Sequence, residues 1–208
     1  MTDAQHPDYS PDLYLASASP RRAEILERMG VRFQCIPQAI DEQVQSGESP
    51  EVLVFRLALE KARAGLAALK PGTGMPVLGA DTAVVIDDDI LGKPDNRDDA
   101  MAMLERLSGR THRVLTGIAM VDGQRELTRL SLSMVTLRSI GATEQVAYWQ
   151  SGEPLDKAGA YAIQGRGGVF VEQLEGSYSG VMGLPMVETH SLLVEFGIDY
   201  QLRWPAGQ

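Results

Sequence analysis

The run HRVLTGIAMVDGQRELTRLSLSMVTL, residues 112–137, holds two apolar-rich strand candidates, His112 to Val121 and Arg125 to Leu137, on either side of Asp122-Gly123. Asp-Gly between two such runs is a strong hairpin signal, because both residues tolerate the left-handed backbone that a tight turn demands. An antiparallel pair is therefore expected in mid-chain. Moving toward the N-terminus, Asn96 with Asp98 and Asp99 caps a helix that ends at Gly109. Pro76 to Ile86 is an apolar β-rich run, Asp87-Asp88-Asp89 a turn, and Ile90-Leu91 a returning edge. Ser49-Pro50-Glu51 opens a long helix to about Leu69, ended by Pro71-Gly72. Leu13 to Ser17 is a short strand and Val31 to Ile36 a second. Between them Ser19-Pro20 supplies an N-cap and a first-turn proline, and Gly30 closes the helix Pro20 to Met29. Moving toward the C-terminus, Thr143 to Gln150 and Leu184 to Phe196 read as helices. Residues 152–183 between them hold eight of the 21 glycines, so the backbone there bends tightly or approaches something closely. Mixed strands and helices with a hairpin predict an α/β fold whose sheet is not purely parallel.

The whole chain of 208 residues is long enough to bury a core without disulfides or structural metal. With 19 Lys and Arg against 28 Asp and Glu, its net charge of −9 repels a polyphosphate backbone, which argues against stable nucleic-acid binding. A small anionic ligand in a locally basic pocket is not excluded by that total. The one cysteine, Cys35, stands in the alternating stretch Phe33-Gln34-Cys35-Ile36 and is expected to be a buried, inert thiol. No apolar run approaches ~18 residues, and the start of the chain lacks the basic and apolar segments of a signal peptide. Membrane spanning is disfavoured, and the cytoplasm is the expected compartment. The organisation predicted is a polar tail at 1–12, one domain at 13–200 and a short tail at 201–208.

Three charged positions conflict with their local structure. Arg21 and Arg22 fall in the first turn of a helix, where the macrodipole favours acids. Either they form an anion site with Ser17, Ser19 and the free backbone N–H groups, or they are solvated surface arginines. Lys61 lies on a helical wheel within the apolar arc of Val54, Leu57, Ala58, Ala62 and Leu69, where an ammonium must snorkel or meet an anion. Asp81 interrupts an otherwise apolar strand and reads as a metal ligand, a general base, or a bulge or turn aspartate. Asp41 and Glu42 could complete a carboxylate cluster with it or be surface charges. Of four lysines, Lys93 and Lys157 also sit in glycine- and proline-rich settings; Lys157 could pair with Asp156 and Glu153 or touch a ligand. Gly165-Arg166-Gly167-Gly168 lacks a following helix and is no dinucleotide fingerprint, and a Walker A motif is absent. With histidine only at His6, His112 and His190, any metal is expected to be a hard cation held by oxygen.

These segments recur as an ordered set: Ser17-Ala18-Ser19-Pro20-Arg21-Arg22, Asp41-Glu42, Glu60-Lys61-Ala62, Gly79-Ala80-Asp81-Thr82, Gly92-Lys93-Pro94, Leu107-Ser108-Gly109, the stretch from Gly152 through Lys157 to Tyr161, Ile163-Gln164-Gly165 and Gly183-Leu184-Pro185. From about Leu13 to Gly197 the chain resembles the Maf proteins, septum-formation-inhibitor-like nucleotide pyrophosphatases. The resemblance implies a mixed twisted sheet flanked by helices, with two lobes around a central nucleotide-binding cleft. It implies hydrolysis of a nucleoside triphosphate to the monophosphate and pyrophosphate, removal of unwanted or modified nucleotides, a divalent cation (Mg²⁺ or Mn²⁺) and a homodimer. Arg21-Arg22 with Thr82 and Gln164 is similar to the branch that acts on dTTP and UTP.

On that reading Asp81 and Glu42 would be the metal ligands, with Asp81 binding the metal or taking the water's proton and Glu42 assisting. Arg21, Arg22, Lys61 and Lys93 would offset phosphate charge, Ser17, Ser19 and Thr82 would bind substrate, and the Gln164 amide would read a uracil or thymine edge. Which acid is base and which is ligand stays open. Two rivals remain: a pyrophosphatase for modified guanine nucleotides such as 7-methyl-GTP, and a non-catalytic binding protein that restrains cell division. The latter would show an exposed apolar patch and have no need of an Asp81, Lys61 and Lys93 cluster.

Overall fold

A computed structural model describes residues 10–70 and 72–205. Most of the expected N-terminal tail with His6, Pro71 of the helix-ending pair, and residues 206–208 lie outside them. In chain order the elements are β1 (Leu13–Leu15), α1 (Pro20–Met29), β2 (Phe33–Cys35), α2 (Pro50–Ala68), β3 (Val77–Ile86), β4 (Asp89–Leu91), α3 (Arg97–Leu107), β5 (Thr111–Val121), β6 (Glu126–Leu137), α4 (Ala142–Gln150), β7 (Val171–Glu175), α5 (Tyr178–Met182) and α6 (Met186–Glu195). Short 3₁₀ turns occupy Ala158–Ala160, Arg166–Phe170 and Tyr200–Arg203.

The strands form one seven-stranded mixed sheet in the order β2-β1-β3-β5-β6-β7, with β4 also paired to β3. β1 runs parallel to β2 and β3, and every other pairing is antiparallel. The β5–β6 hairpin is the one its Asp-Gly pair predicts, with Val121 opposite Glu126 and Gly123 at φ +87°. On one side β3 pairs with β5 from Val77 to Val85. On its other side the pairing breaks: β1 reaches only to Leu78, and β4 begins at Val84. Residues 79–83 therefore have no strand neighbour on that flank, and this break lets side chains from both faces reach one opening.

Alternation along β3 sends odd and even residues to different covers. Val77, Ala83 and Val85 pack with Val54, Ala58 and Ala62 of α2. Leu78 and Ala80 join a cluster with Ile25 and Leu26 of α1 and Leu192 and Leu193 of α6, while Val84 and Ile86 join another with Met103 and Leu104 of α3 and Tyr148 of α4. Thr82 stands between the two clusters. Its hydroxyl meets buried Thr116 at 2.9 Å, and Thr116 donates to Gly180 O at 2.8 Å. The face of the sheet opposite α2 thus carries two apolar clusters with a polar seam between them.

Three expectations are corrected. Cys35 is exposed, because β2 is an edge strand with no neighbour to cover it. Asp81 sits in neither a bulge nor a turn; β3 runs through it without interruption, opposite Gly117. Ser19 occupies the N-cap of α1, but its side chain makes no cap bond; the Ser17 hydroxyl accepts from Ser19 N–H at 3.2 Å instead. Ser49 and Asn96 do cap α2 and α3, accepting from Val52 and Asp99 N–H. The glycine-dense stretch contains β7, α5 and two 3₁₀ turns for which local pattern held no signal. In the C-terminal segment, Arg203 pairs with Asp12 and Trp204 Nε1 donates to Met29 O at 2.7 Å.

Candidate active site

Lys61 reaches its position because α2 lies unusually close to the sheet. A Cβ on Gly79 would stand 2.2 Å from Ala58 O, and one on Gly117 2.5 Å from Val54 O, so only glycine permits this approach. Gly79, Gly117 and Asp81 share the face beneath α2, and the Lys61 ammonium meets Asp81 Oδ1 at 2.7 Å. It also meets Glu42 Oε1 at 2.6 Å from the loop before α2. Lys61 is 7% exposed, so the ammonium on the apolar arc meets anions rather than snorkelling. Burial pushes the Glu42 carboxyl up, but the Lys61 hydrogen bond and the charges of Lys61, Lys93 and Arg22 hold it below its usual range, keeping it ionised.

The open flank of β3 faces a cavity of about 760 Å³. Ser17, Ser19, Arg21, Arg22, Glu42, Lys61, Asp81, Thr82, Lys93 and Gln164, the residues singled out in the sequence, all line it. Asp41 does not; it accepts from Gln43 N–H and faces a separate surface hollow with Arg56 and Glu60. Lys157 lines the cavity and makes no ion pair with Asp156 or Glu153 among the described residues. Burial pulls its pKa down, and the charge of Arg21 pulls in the same direction.

The paired arginines divide their work. Arg22 Nε donates to Gly183 O at 2.9 Å, Nη1 to Ser17 Oγ at 3.1 Å and Nη2 to Thr82 Oγ1 at 3.4 Å, tying the start of α1 to β3 and the end of α5. Burial lowers its pKa while Asp81 opposes the shift. Arg21 makes no ion pair among the described residues and is left to face the cavity; burial lowers its pKa too, with Asp156 opposing. Five cations (Arg21, Arg22, Lys61, Lys93, Lys157) thus face three carboxylates (Glu42, Asp81, Asp156) around one space. An acidic chain has gathered a local positive surplus suited to a polyanion.

Sequence reasoning missed the supports. Thr116 behind Thr82, Tyr161 in the cavity wall with His112 behind it (Nε2 to Oη 2.8 Å), and Glu153 with Tyr148 behind the Gln164 loop are all held by long-range contacts. Their only sequence signal was a polar residue inside an apolar or glycine-rich run. Among the described residues no group of three or more His, Cys, Asp or Glu converges as a self-sufficient metal cage.

The family model described as Maf-like protein matches residues 12–196. Among curated relatives, a dTTP/UTP pyrophosphatase of Alkalilimnicola ehrlichii is 57% identical over 201 residues, spanning 95% of this chain and 99% of the relative. Proteins of the same name from Saccharophagus degradans and Xanthomonas campestris pv. campestris are 49% and 53% identical, spanning 95% and 89% of this chain and 96% and 98% of their own lengths. With the family model covering residues 12–196 and relatives at 49–57% identity covering most of their own lengths, the chain belongs to the Maf-like protein family.

Proposed function

We propose that this chain hydrolyses dTTP and UTP to the nucleoside monophosphate and pyrophosphate. The observation that carries the reading is the bridge from Lys61 to Asp81 and Glu42 at the open flank of β3, within a cavity whose cations outnumber its acids. The names of relatives at 49–57% identity supply the substrate pair. Water attacks the α-phosphorus, Asp81 accepts its proton, and the bond from the α-phosphorus to the bridging oxygen breaks as pyrophosphate leaves. Lys61 fixes the Asp81 carboxylate in place, and Arg21, Lys93 and Lys157 stabilise the charge that builds on the leaving group. Arg22 holds Ser17 and Thr82 in register beneath the phosphates.

The donor set fits a hard divalent cation. Lys61 occupies one oxygen of each carboxylate, and Asp81 Oδ2 and Glu42 Oε2 have no protein hydrogen-bond partner among the described residues. Glu42 Oε2 would hold Mg²⁺ or Mn²⁺, which completes its shell with water and substrate phosphate rather than a full protein cage, while Asp81 Oδ2 is left to take the water's proton. Bound there, the cation supplies neutralisation of phosphate oxygens. The Gln164 amide, with one donor and one acceptor, accepts from the N3–H of thymine or uracil and donates to a neighbouring carbonyl, a pairing cytosine does not satisfy in that orientation.

Pyrophosphate release from dTTP, UTP, CTP, dGTP and 7-methyl-GTP, with Mg²⁺ or Mn²⁺ and with excess chelator, tests the reading. dTTP and UTP should react best, chelation should abolish turnover, and Asp81→Asn should retain the fold while losing on the order of 10²-fold or more in kcat. Preference for the methylated guanine nucleotide, or activity of Asp81→Asn within about threefold of the parent, would overturn it.

A further inference from the structure

Gln164 stands in a loop with little rigidity of its own, since Gly159, Gly165, Gly167 and Gly168 fall within five residues of it. A side-chain amide that reads a base edge has to be held still, because a misplacement of ~1 Å costs orders of magnitude in rate or affinity. Ile163 anchors one side of the loop by packing against both apolar clusters, but the backbone around Gln164 needs its own polar hold. Two side chains outside the cavity wall provide it.

Glu153, in the turns after α4, accepts from Gly167 N–H with Oε1 at 2.9 Å and from Arg166 N–H with Oε2 at 2.9 Å. Tyr148, on α4, donates its hydroxyl to Glu153 Oε1 at 2.8 Å, and that hydroxyl accepts from Ala162 N–H at 3.1 Å. The backbone is therefore pinned two residues before Gln164 and two and three residues after it, by one carboxylate and one phenol that touch each other. The Tyr148 ring is itself fixed, buried edge-to-face against Phe170 at 5.1 Å between centroids. The glycines follow from the same contact: a Cβ at Gly165 would stand 2.4 Å from Glu153 Oε2, and one at Gly167 2.5 Å from Tyr148 Oη. At Gly165 and Gly167, what the backbone approaches closely is this pair.

We propose that Glu153 and Tyr148 are positioning residues for base selection: they clamp the Gln164 loop so that its amide is presented to the thymine or uracil edge, while the phosphate chemistry on β3, α1 and α2 proceeds without them. The inference rests on the base-reading role given to Gln164 above. Because neither residue lines the cavity, their effect passes through the loop, and the signature is loss of discrimination rather than loss of chemistry.

The experiment compares kcat and KM for dTTP and CTP in the parent, Gln164→Ala, Tyr148→Phe, Glu153→Gln and Gly165→Ala proteins, each checked for its melting temperature. Tyr148→Phe keeps the ring against Phe170, and Gly165→Ala displaces the carboxylate while leaving every clamp group present. The expected result is a fall in the dTTP to CTP ratio of kcat/KM on the order of 10-fold in all the clamp variants, carried by KM for dTTP, with kcat near that of the parent. If Gln164→Ala collapses the ratio and the folded clamp variants keep it within about twofold of the parent, the clamp proposal is overturned. Equal losses of kcat on dTTP and CTP in those variants would overturn it also, because the pair would then be supporting the reaction centre. Should Gln164→Ala itself leave the ratio intact, the base-reading role fails, and this inference with it.

Discussion

A protonated amine on the apolar side of a helix needs an anion, and Lys61 has two. Removing it leaves Asp81 and Glu42 side by side with no cation between them, so Lys61→Met should lose on the order of 10² in kcat. The melting temperature should move little, since methionine fills the same space on α2; a lowered melting temperature with intact turnover would show the charge to be structural. His112 illustrates the opposite economy of charge. It is 2% exposed, its Nε2 meets Tyr161 Oη, and Nδ1 is buried with no hydrogen-bond partner among the described residues. Burial holds its pKa down to about 4, against about 6.5 in the unfolded chain. The unfolded state therefore takes up the proton first, so this contribution is fully present above about pH 6.5 and is lost as pH falls toward 4. Between pH 7 and pH 5 that amounts to about 2 kcal/mol. Urea midpoints at both pH values should show the loss in the parent and a smaller one in His112→Gln; equal losses would remove His112 as the cause.

At the scale of elements, the decisive contact is α2 on β3 and β5. Two glycines let a helix backbone rest on a strand backbone, and that proximity sets the reach of the Lys61 side chain to Asp81. Gly117→Ala would push a methyl against Val54 O, at a cost of about 1–3 kcal/mol. Because the push falls directly opposite Asp81, turnover should drop as well, on the order of 10-fold. Calorimetry and steady-state kinetics on the same preparation check both halves, and a variant unchanged in either measurement would show that α2 has slack the packing does not suggest. The 3₁₀ turn at Ala158–Ala160 is held in a similar way, with Gly159 N–H donating to Gly92 O at 3.0 Å, so the Lys93 loop and the Lys157 loop close on the cavity together.

Across the whole molecule, the face of the sheet opposite α2 carries two apolar clusters, and β3 is longer than either neighbour on its open side. The site lies where those neighbours stop. The far end of α1 is a different region: Trp204 lies against Gly30 and bonds Met29 O, while Arg203 pairs with Asp12. At about 1.5 Å per residue, the seven to nine residues of α1 between that contact and Arg21 and Arg22 span about 10–14 Å. Trp204→Ala should therefore cost about 1–2 kcal/mol of stability and leave kcat/KM for dTTP within about twofold of the parent. A matching fall in activity would mean that the C-terminal turn is coupled to the site.

Much of this was legible along the chain. The start and end of α1 at Pro20 and Gly30, the cap of α2 at Ser49, the β5–β6 hairpin and the charge of Lys61 on an apolar arc are local facts, governed by residues within a few positions of one another. So are the ordered motifs that mark the family. Tertiary structure alone decided the rest, because each remaining feature depends on partners far apart in sequence. Edge or centre is a property of the sheet, so the alternation around Cys35 said nothing of its exposure. An aspartate is tolerated in the middle of β3 because β1 and β4 leave that flank unpaired and Lys61 arrives from above, neither of which residues 77–86 encode. The glycines of 152–183 announced a close approach without naming what approaches: Glu153 and Tyr148 at Gly165 and Gly167, Val84 at Gly159 and Ser133 at Gly176, and only folding brings those side chains there.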